Sequence, residues 1–212
     1  MSTTRVTLVA PAAGRDLREA RFGGDGPLDP PALARARRAG SALATAARWC
    51  RSPTGRCAET ARALRAGAEP GSGRGAERGA ERGAEPDAPA SAPEPLDVGR
   101  WRGRTLAEVT TEEPAALAAW LADASGAPHG GESLPALRLR VGGWLDGLTA
   151  RGGRVVAVVE PDVVRAALVH ALDLPGRSFW RLDVEPLSAV ELTGRAARWN
   201  VRPGRPLDGA TG

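Results

Sequence analysis

The stretch "VVAVVEPDVVRAAL", Val155–Leu168, decides the fold. With Arg154 before it, the run Arg154–Val159 is continuously β-branched or apolar, the composition of a strand buried on both faces of a parallel sheet. "PDVVRAALVHALDL" follows as a helix, so a strand, a tight turn and a helix N-terminus succeed one another without a spacer. That unit belongs to an α/β sheet, and the ligand site of such a sheet lies beyond the carboxyl ends of its strands, here near Glu160.

Working outward, "TRVTLVAPAAGRD", Thr4–Asp16, holds a second buried strand with Val6, Leu8 and Val9, ending at small residues and Gly14. Where such a strand end often carries chemistry, this one carries Ala10 and Pro11, which can neither attack, protonate nor coordinate. "PLDPPALARARRAGSALATAA" predicts a helix from Pro30 or Pro31 capped by Asp29. "RWC" reads as a short strand, and "SPTGRCAETARALRAG" as a helix that Gly67 terminates. From Ala68 to Pro95 the pattern gives way to Gly, Ala, Pro, Glu and Arg, with "GAER" repeated. With little apolar surface to offset its ordering entropy, this segment, 68–95, is expected to be one long disordered loop within a single domain of residues 1–212. It is also open to a role as a partner-binding arm.

Beyond it, "TEEPAALAAWLAD" predicts a helix capped by Thr111 with Leu117, Trp120 and Leu121 inward. "GGESLPALRLRVGGWLDGLTARGG" gives another, with Leu134, Leu137, Val141, Trp144, Leu145 and Leu148 at helical spacing. "LSAVELTG" and "ARWNVR" close the chain as an antiparallel pair at the sheet edge. The whole is an α/β, doubly wound, mostly parallel sheet.

Composition narrows the partners. The formal charge is +4, but all 29 basic residues are arginine, scattered among Asp and Glu, with six Trp and two Phe available for stacking; nucleic acid is not expected. No run reaches the ~20 apolar residues of a membrane span, so a cytoplasmic protein is expected. Cys50 and Cys57 lack metal-ligand spacing and read as small buried residues; neither metal nor cofactor is expected.

Five segments in order, "RVTLV", "RSPTGRCAETA", "DVGRWRGRTLAEV", "HGGESLPALRLRV" and "VVAVVEPDVVRAAL", resemble the histidine phosphatase superfamily, including its alpha-ribazole phosphatase-like and actinobacterial branches. The resemblance implies the three-layer phosphoglycerate mutase-like fold. It also implies a reaction in which a histidine after the first strand attacks phosphorus, a second follows the late strand, two arginines hold phosphate, and a carboxylic acid protonates the leaving oxygen. Carried over position by position, the Arg-His pair falls on Ala10 and Pro11, the acid on Pro95 and the second histidine on Glu160. Arg56 alone keeps its expected type.

Three readings follow. In the first, the chain is a catalytically inactive relative that binds a protein or a small ligand. In the second, it is a phosphomonoester hydrolase with a rewired pocket, Arg56 holding phosphate while His129 or Glu160 activates water. In the third, Glu160 is a general base for an unphosphorylated substrate. Cationic Arg56 and anionic Glu160 are themselves expected to pair, with charged groups within about 6 Å. Arg15, His129 and Glu132 are further ligand-binding candidates, against plainer readings as a solvated arginine, a loop histidine and a helix-start carboxylate; Asp162 is a second helix-start carboxylate, and His170 a packed helical residue. The partners left open are a small phosphorylated molecule, a protein, or a second copy in a homodimer.

Overall fold

A computed structural model of the chain describes residues 3–43, 47–68 and 90–207. Strands β1 (Thr4–Val9), β2 (Arg48–Arg51), β3 (Ala90–Ser91), β4 (Gly153–Val158), β5 (Ser188–Arg195) and β6 (Arg198–Pro206) form one sheet in the order β3-β2-β4-β1-β5-β6. The first four run parallel, with Val6 level with Val155 and Cys50 with Ala157; β5 runs antiparallel to β1 and β6 to β5. The doubly wound, mostly parallel sheet and its antiparallel edge are as the sequence predicts.

The apolar run of β4 is explained by what covers it. Val155 and Ala157 face a core built with Leu137, Val141 and Leu145 of α6 (Leu134–Leu148) and Val163, Ala167 of α7 (Pro161–Ala171). Val156 and Val158 face the other way, against Ala39 of α2 (Pro30–Ala39) and Cys57, Ala61 and Leu64 of α3 (Gly55–Ala68). From Val155 to Val158 the strand is covered on both sides and every side chain is apolar, each buried one contributing about 1.5–3 kcal/mol. Asp29 caps α2 by accepting from the amide of Ala32 at 2.9 Å, and proline follows at the first turn, as expected.

Several local expectations are corrected. Gly67 does not end α3, which runs through Ala68; a Cβ on Gly67 would lie 1.7 Å from the Arg37 carbonyl oxygen, and one on Gly40 would lie 2.0 Å from that of Leu64. These glycines let α2 and α3 cross backbone against backbone, so the glycine serves packing rather than capping. Thr111 is not a cap. It lies inside α4 (Leu106–Glu112), its hydroxyl donating to the Ala107 carbonyl, and the capping box is formed by Thr105 with Glu108; α5 (Pro114–Ala122) begins separately after Glu113. Leu117 and Trp120 are buried, whereas Leu121 is exposed. Most of the expected 68–95 loop lies outside the described residues, but its ends are ordered structure: Ala68 closes α3, Ala90–Ser91 extends the sheet beside β2, and Ala92 is buried. A four-residue helix, α1 (Arg15–Arg18), follows β1 unforeseen. Among the described residues no helix is long and apolar enough to cross a membrane.

Candidate functional site

Three segments meet at the carboxyl ends of β1, β4 and β2. Val159 donates its amide to the Val9 carbonyl, and Ser52 donates its amide to that of Val158, which sets the turns after the strands side by side. Ala10 and Pro11 leave β1 there, both buried, and the amide of Ala12 donates to the Thr60 hydroxyl of α3 at 3.1 Å.

Glu160 stands at the start of α7, but its carboxylate does not cap that helix. It reaches across to α3, where it meets Arg56 in a bidentate pair: Arg56 Nε donates to Oε1 at 2.9 Å, and Nη2 donates to Oε2. The Thr54 hydroxyl adds a third donor to Oε1 at 2.7 Å, and the Cys57 thiol a weak fourth at 3.4 Å. The side chains are 13% and 3% exposed, so this is a pair largely withdrawn from water. Burial alone would pull the Arg56 guanidinium down, but the hydrogen bond and charge of Glu160 outweigh it and hold its pKa above the ordinary value. Burial first, and then the charge of Glu160, pushes the Cys57 thiol up, and burial pushes the Cys50 thiol up to about 12, so neither is a ready nucleophile.

The N-terminus of α3 is filled as well. Asp25 Oδ2 and Oδ1 accept from the amides of Gly55 and Arg56 at 3.0 and 3.1 Å. Two carboxylates of the chain itself, buried Glu160 and exposed Asp25, therefore take up donors from the segment that follows β2. An incoming phosphoryl group would have to displace Glu160 or lie against it. Like unit charges about 4 Å apart repel by about 4 kcal/mol at the effective dielectric of a protein surface.

Asp162, in the first turn of α7, accepts from the amides of Leu96 and, at 2.9 Å, Val163. Burial pushes its pKa up to about 6; the Leu96 amide pulls the other way and the nearby charge of Glu160 adds to the rise. Through Leu96, Asp162 ties α7 to the segment carrying Pro95. The Pro95 carbonyl accepts from Arg140, whose guanidinium also binds Glu132 at 2.7 and 2.8 Å. Glu132 is thus committed to Arg140 rather than to a helix start, since Ser133 caps α6. An open concavity of about 400 Å³ lies here, lined by Glu94, Pro95, Asp97, Gly131, Glu132 and Arg140.

The remaining candidates stand apart. His129 is 1% exposed and packs edge-on against the rings of Trp101 and Trp120, with centroids at 5.1 and 5.5 Å. Its Nδ1 accepts from the Gly131 amide at 3.0 Å, which leaves the proton on Nε2, a buried atom with no hydrogen-bond partner among the described residues; burial holds its pKa below the ordinary value. The structure places this histidine inside an aromatic cage, not on a pocket rim. Arg15 is exposed, with no ion pair among the described residues. His170 packs over Gly142 and pairs with Asp146 at 3.0 Å, while Trp199 donates to the same carboxylate. The sequence reading missed Thr54, Thr60 and Asp25 as partners in this region. Among the described residues no group of His, Cys, Asp and Glu is arranged to hold a metal.

Comparison with known proteins agrees with this architecture. The family model described as histidine phosphatase superfamily (branch 1) matches residues 94–203, more than half of the chain. Glucosyl-3-phosphoglycerate phosphatase of Mycolicibacterium vanbaalenii is 33% identical over a 129-residue alignment that covers 49% of this chain and 57% of that protein. The matched stretch therefore spans little more than half the length of that relative. Among solved structures, the mycobacterial glucosyl-3-phosphoglycerate phosphatase complex with VO3 has a TM-score of 0.75 at 22% identity, covering 94% of this chain and 97% of the other. The alpha-ribazole phosphatase of Shigella flexneri has a TM-score of 0.71 at 18% identity, covering 94% and 95%, respectively. Phosphoglycerate mutase of Bacillus anthracis also has a TM-score of 0.71, at 14% identity, covering 95% and 92%.

Proposed function

The chain belongs to the histidine phosphatase superfamily, branch 1, and from that premise we propose that it is a pseudophosphatase, a binding module on a phosphatase scaffold that carries out no phosphoryl transfer. The observation that carries this reading is the buried bidentate pair of Arg56 with Glu160, with the Thr54 hydroxyl on the same carboxylate. By resemblance, Glu160 holds the position of a catalytic histidine and Arg56 that of a phosphate-holding arginine. A carboxylate bound to that arginine takes the donors a phosphoryl group would need and adds a charge of the wrong sign. Pro11 and Pro95, at the positions of the nucleophile and the acid, supply no reacting atom, and His129 is enclosed among tryptophans where it cannot meet a substrate.

Asp162 favours the rewired-hydrolase reading. A carboxyl with a pKa near 6, held within a residue of Pro95 through the Leu96 amide, has the character of a general acid. It still lacks a nucleophile, and Arg56, the arginine of the motif, is bound to Glu160, so the inactive reading is preferred on that account.

The deciding experiment is hydrolysis of p-nitrophenyl phosphate and a panel of sugar phosphates by wild type and Arg56→Ala, with and without chelator, alongside a search for an acid-labile phosphoenzyme. Neither turnover nor phosphoenzyme is expected. Turnover that vanishes in Arg56→Ala would overturn the proposal in favour of the rewired pocket.

A further inference from the structure

A second site lies at the other end of the sheet. Arg154, Arg5, Thr193 and Asn200 stand level on β4, β1, β5 and β6, successive partners in the strand register, and so share one face. At ~4.8 Å between strands the row is about 14 Å long. It floors a concavity of about 530 Å³ whose wall includes Ala42, Leu43 and Ala47. Arg5 lies four residues before Val9, so the row is about 13 Å along β1 from the end where Arg56 and Glu160 meet.

The charge of this face is unbalanced. Glu191, two residues along β5 on the same face, is paired with Arg202 at 3.6 Å, whereas Arg5 and Arg154 are exposed and neither guanidinium makes a hydrogen bond or ion pair among the described residues. Like charges opposite one another on neighbouring strands destabilise a sheet, and among the described residues no carboxylate forms an ion pair with either arginine. A bound anion would, because two guanidiniums side by side present converging donors to a tetrahedral oxyanion. The row then changes from cations to the neutral hydrogen-bonding groups of Thr193 and Asn200.

We propose that this groove binds a small phosphate monoester, its phosphate on Arg5 and Arg154 and its hydroxylated body across Thr193 and Asn200. The site goes beyond the pseudophosphatase reading and is independent of whether the Arg56 pocket turns over a substrate.

Isothermal titration calorimetry at low salt with inorganic phosphate and glucose 6-phosphate as probes tests it. Wild type is expected to bind both, glucose 6-phosphate more tightly. Arg5→Gln/Arg154→Gln should weaken both by about tenfold or more, whereas Arg177→Gln/Arg181→Gln, an equal charge change at exposed positions elsewhere, should leave them within about twofold. Thr193→Val should weaken glucose 6-phosphate alone. The proposal is overturned by equal loss in both double variants, which would mean diffuse charge attraction, or by no saturable binding in the millimolar range. Binding kept in Arg5→Gln/Arg154→Gln also overturns it, since the probe then sits elsewhere; catalysis at the Arg56 pocket is read separately, by turnover.

Discussion

Arg56→Met keeps the side chain's apolar stem and deletes its charge, leaving Glu160 at 3% exposure with only the Thr54 hydroxyl and the Cys57 thiol as donors. Removing one partner of a buried pair strands the other charge, which typically costs about 3–5 kcal/mol. For a chain of this size each kcal/mol lowers the melting temperature by about 2–4 °C, so a fall of about 6–20 °C is expected. Glu160→Leu strands Arg56 and should destabilise in the same direction, somewhat less, because Arg56 at 13% exposure retains some access to water. Arg56→Met/Glu160→Leu removes both charges together, and apolar replacement of a buried pair is often neutral or stabilising, so the double variant should be more stable than either single one. Urea unfolding of the four proteins measures this. If the double variant loses as much as the two single ones added together, the charges are not coupled and the closed pocket described above does not exist in solution.

Two further outcomes follow. The Asp162 pKa is raised from about 3.8 in the unfolded chain to about 6, so the folded state binds more protons between those values, and the Asp162 contribution to stability falls as pH rises through that window. The full effect is about 3 kcal/mol, so Asp162→Asn should be more stable than wild type at pH 7 and lose the advantage by pH 4, as read from urea midpoints across pH; an advantage that grows on acidification would refute the assignment. Gly67→Ala places a methyl 1.7 Å from the Arg37 carbonyl oxygen, a backbone atom that cannot swing aside, and should cost about 3 kcal/mol or more; a change under about 1 kcal/mol in unfolding would show that the helices do not cross so closely.

The parts of the fold that could be read from the sequence are those whose cause is local. The apolar run Val155–Val159 and the Asp29-Pro30-Pro31 start each contain their own explanation, in burial on two faces and in a cap with a preset φ. Gly67 could not be read correctly because its reason lies on another helix: local pattern makes a late glycine a stop, and only the crossing of α2 shows that it is a contact. The site divides the same way. The pairing of Arg56 with Glu160 followed from placing two motifs at neighbouring strand ends, one cation and one anion. The bonds of Thr54 and Asp25 carried no signal, since they join residues 106, 30 and 31 positions apart, and although Thr54 lies inside the motif with Arg56, nothing local aims its hydroxyl at Glu160. His129 misled for a related reason. A histidine beside glycines has the local composition of an exposed loop, and the tryptophans that enclose it come from elsewhere in the chain.

The proposed loss of catalysis is best understood as a change of charge balance rather than as one missing atom. A pocket that holds a phosphate dianion needs an excess of positive charge over internal carboxylates. Here Ala10 and Pro11 are neutral and buried, Arg56 is bound by Glu160, and Asp162 adds a carboxyl that burial keeps partly protonated near pH 6. Each of these features makes sense given the others. With no cation at position 10, a lone buried Arg56 would need a counterion, and Glu160 provides one within the fold; with Glu160 ionised beside it, Asp162 gains from staying neutral. On the proposed reading, a histidine placed at position 11 would give a nucleophile with nothing to attack, because a phosphorylated substrate would still be repelled by Glu160. The order of dependence runs from Glu160 outward: until that carboxylate is removed, no other single replacement can return an anion to Arg56.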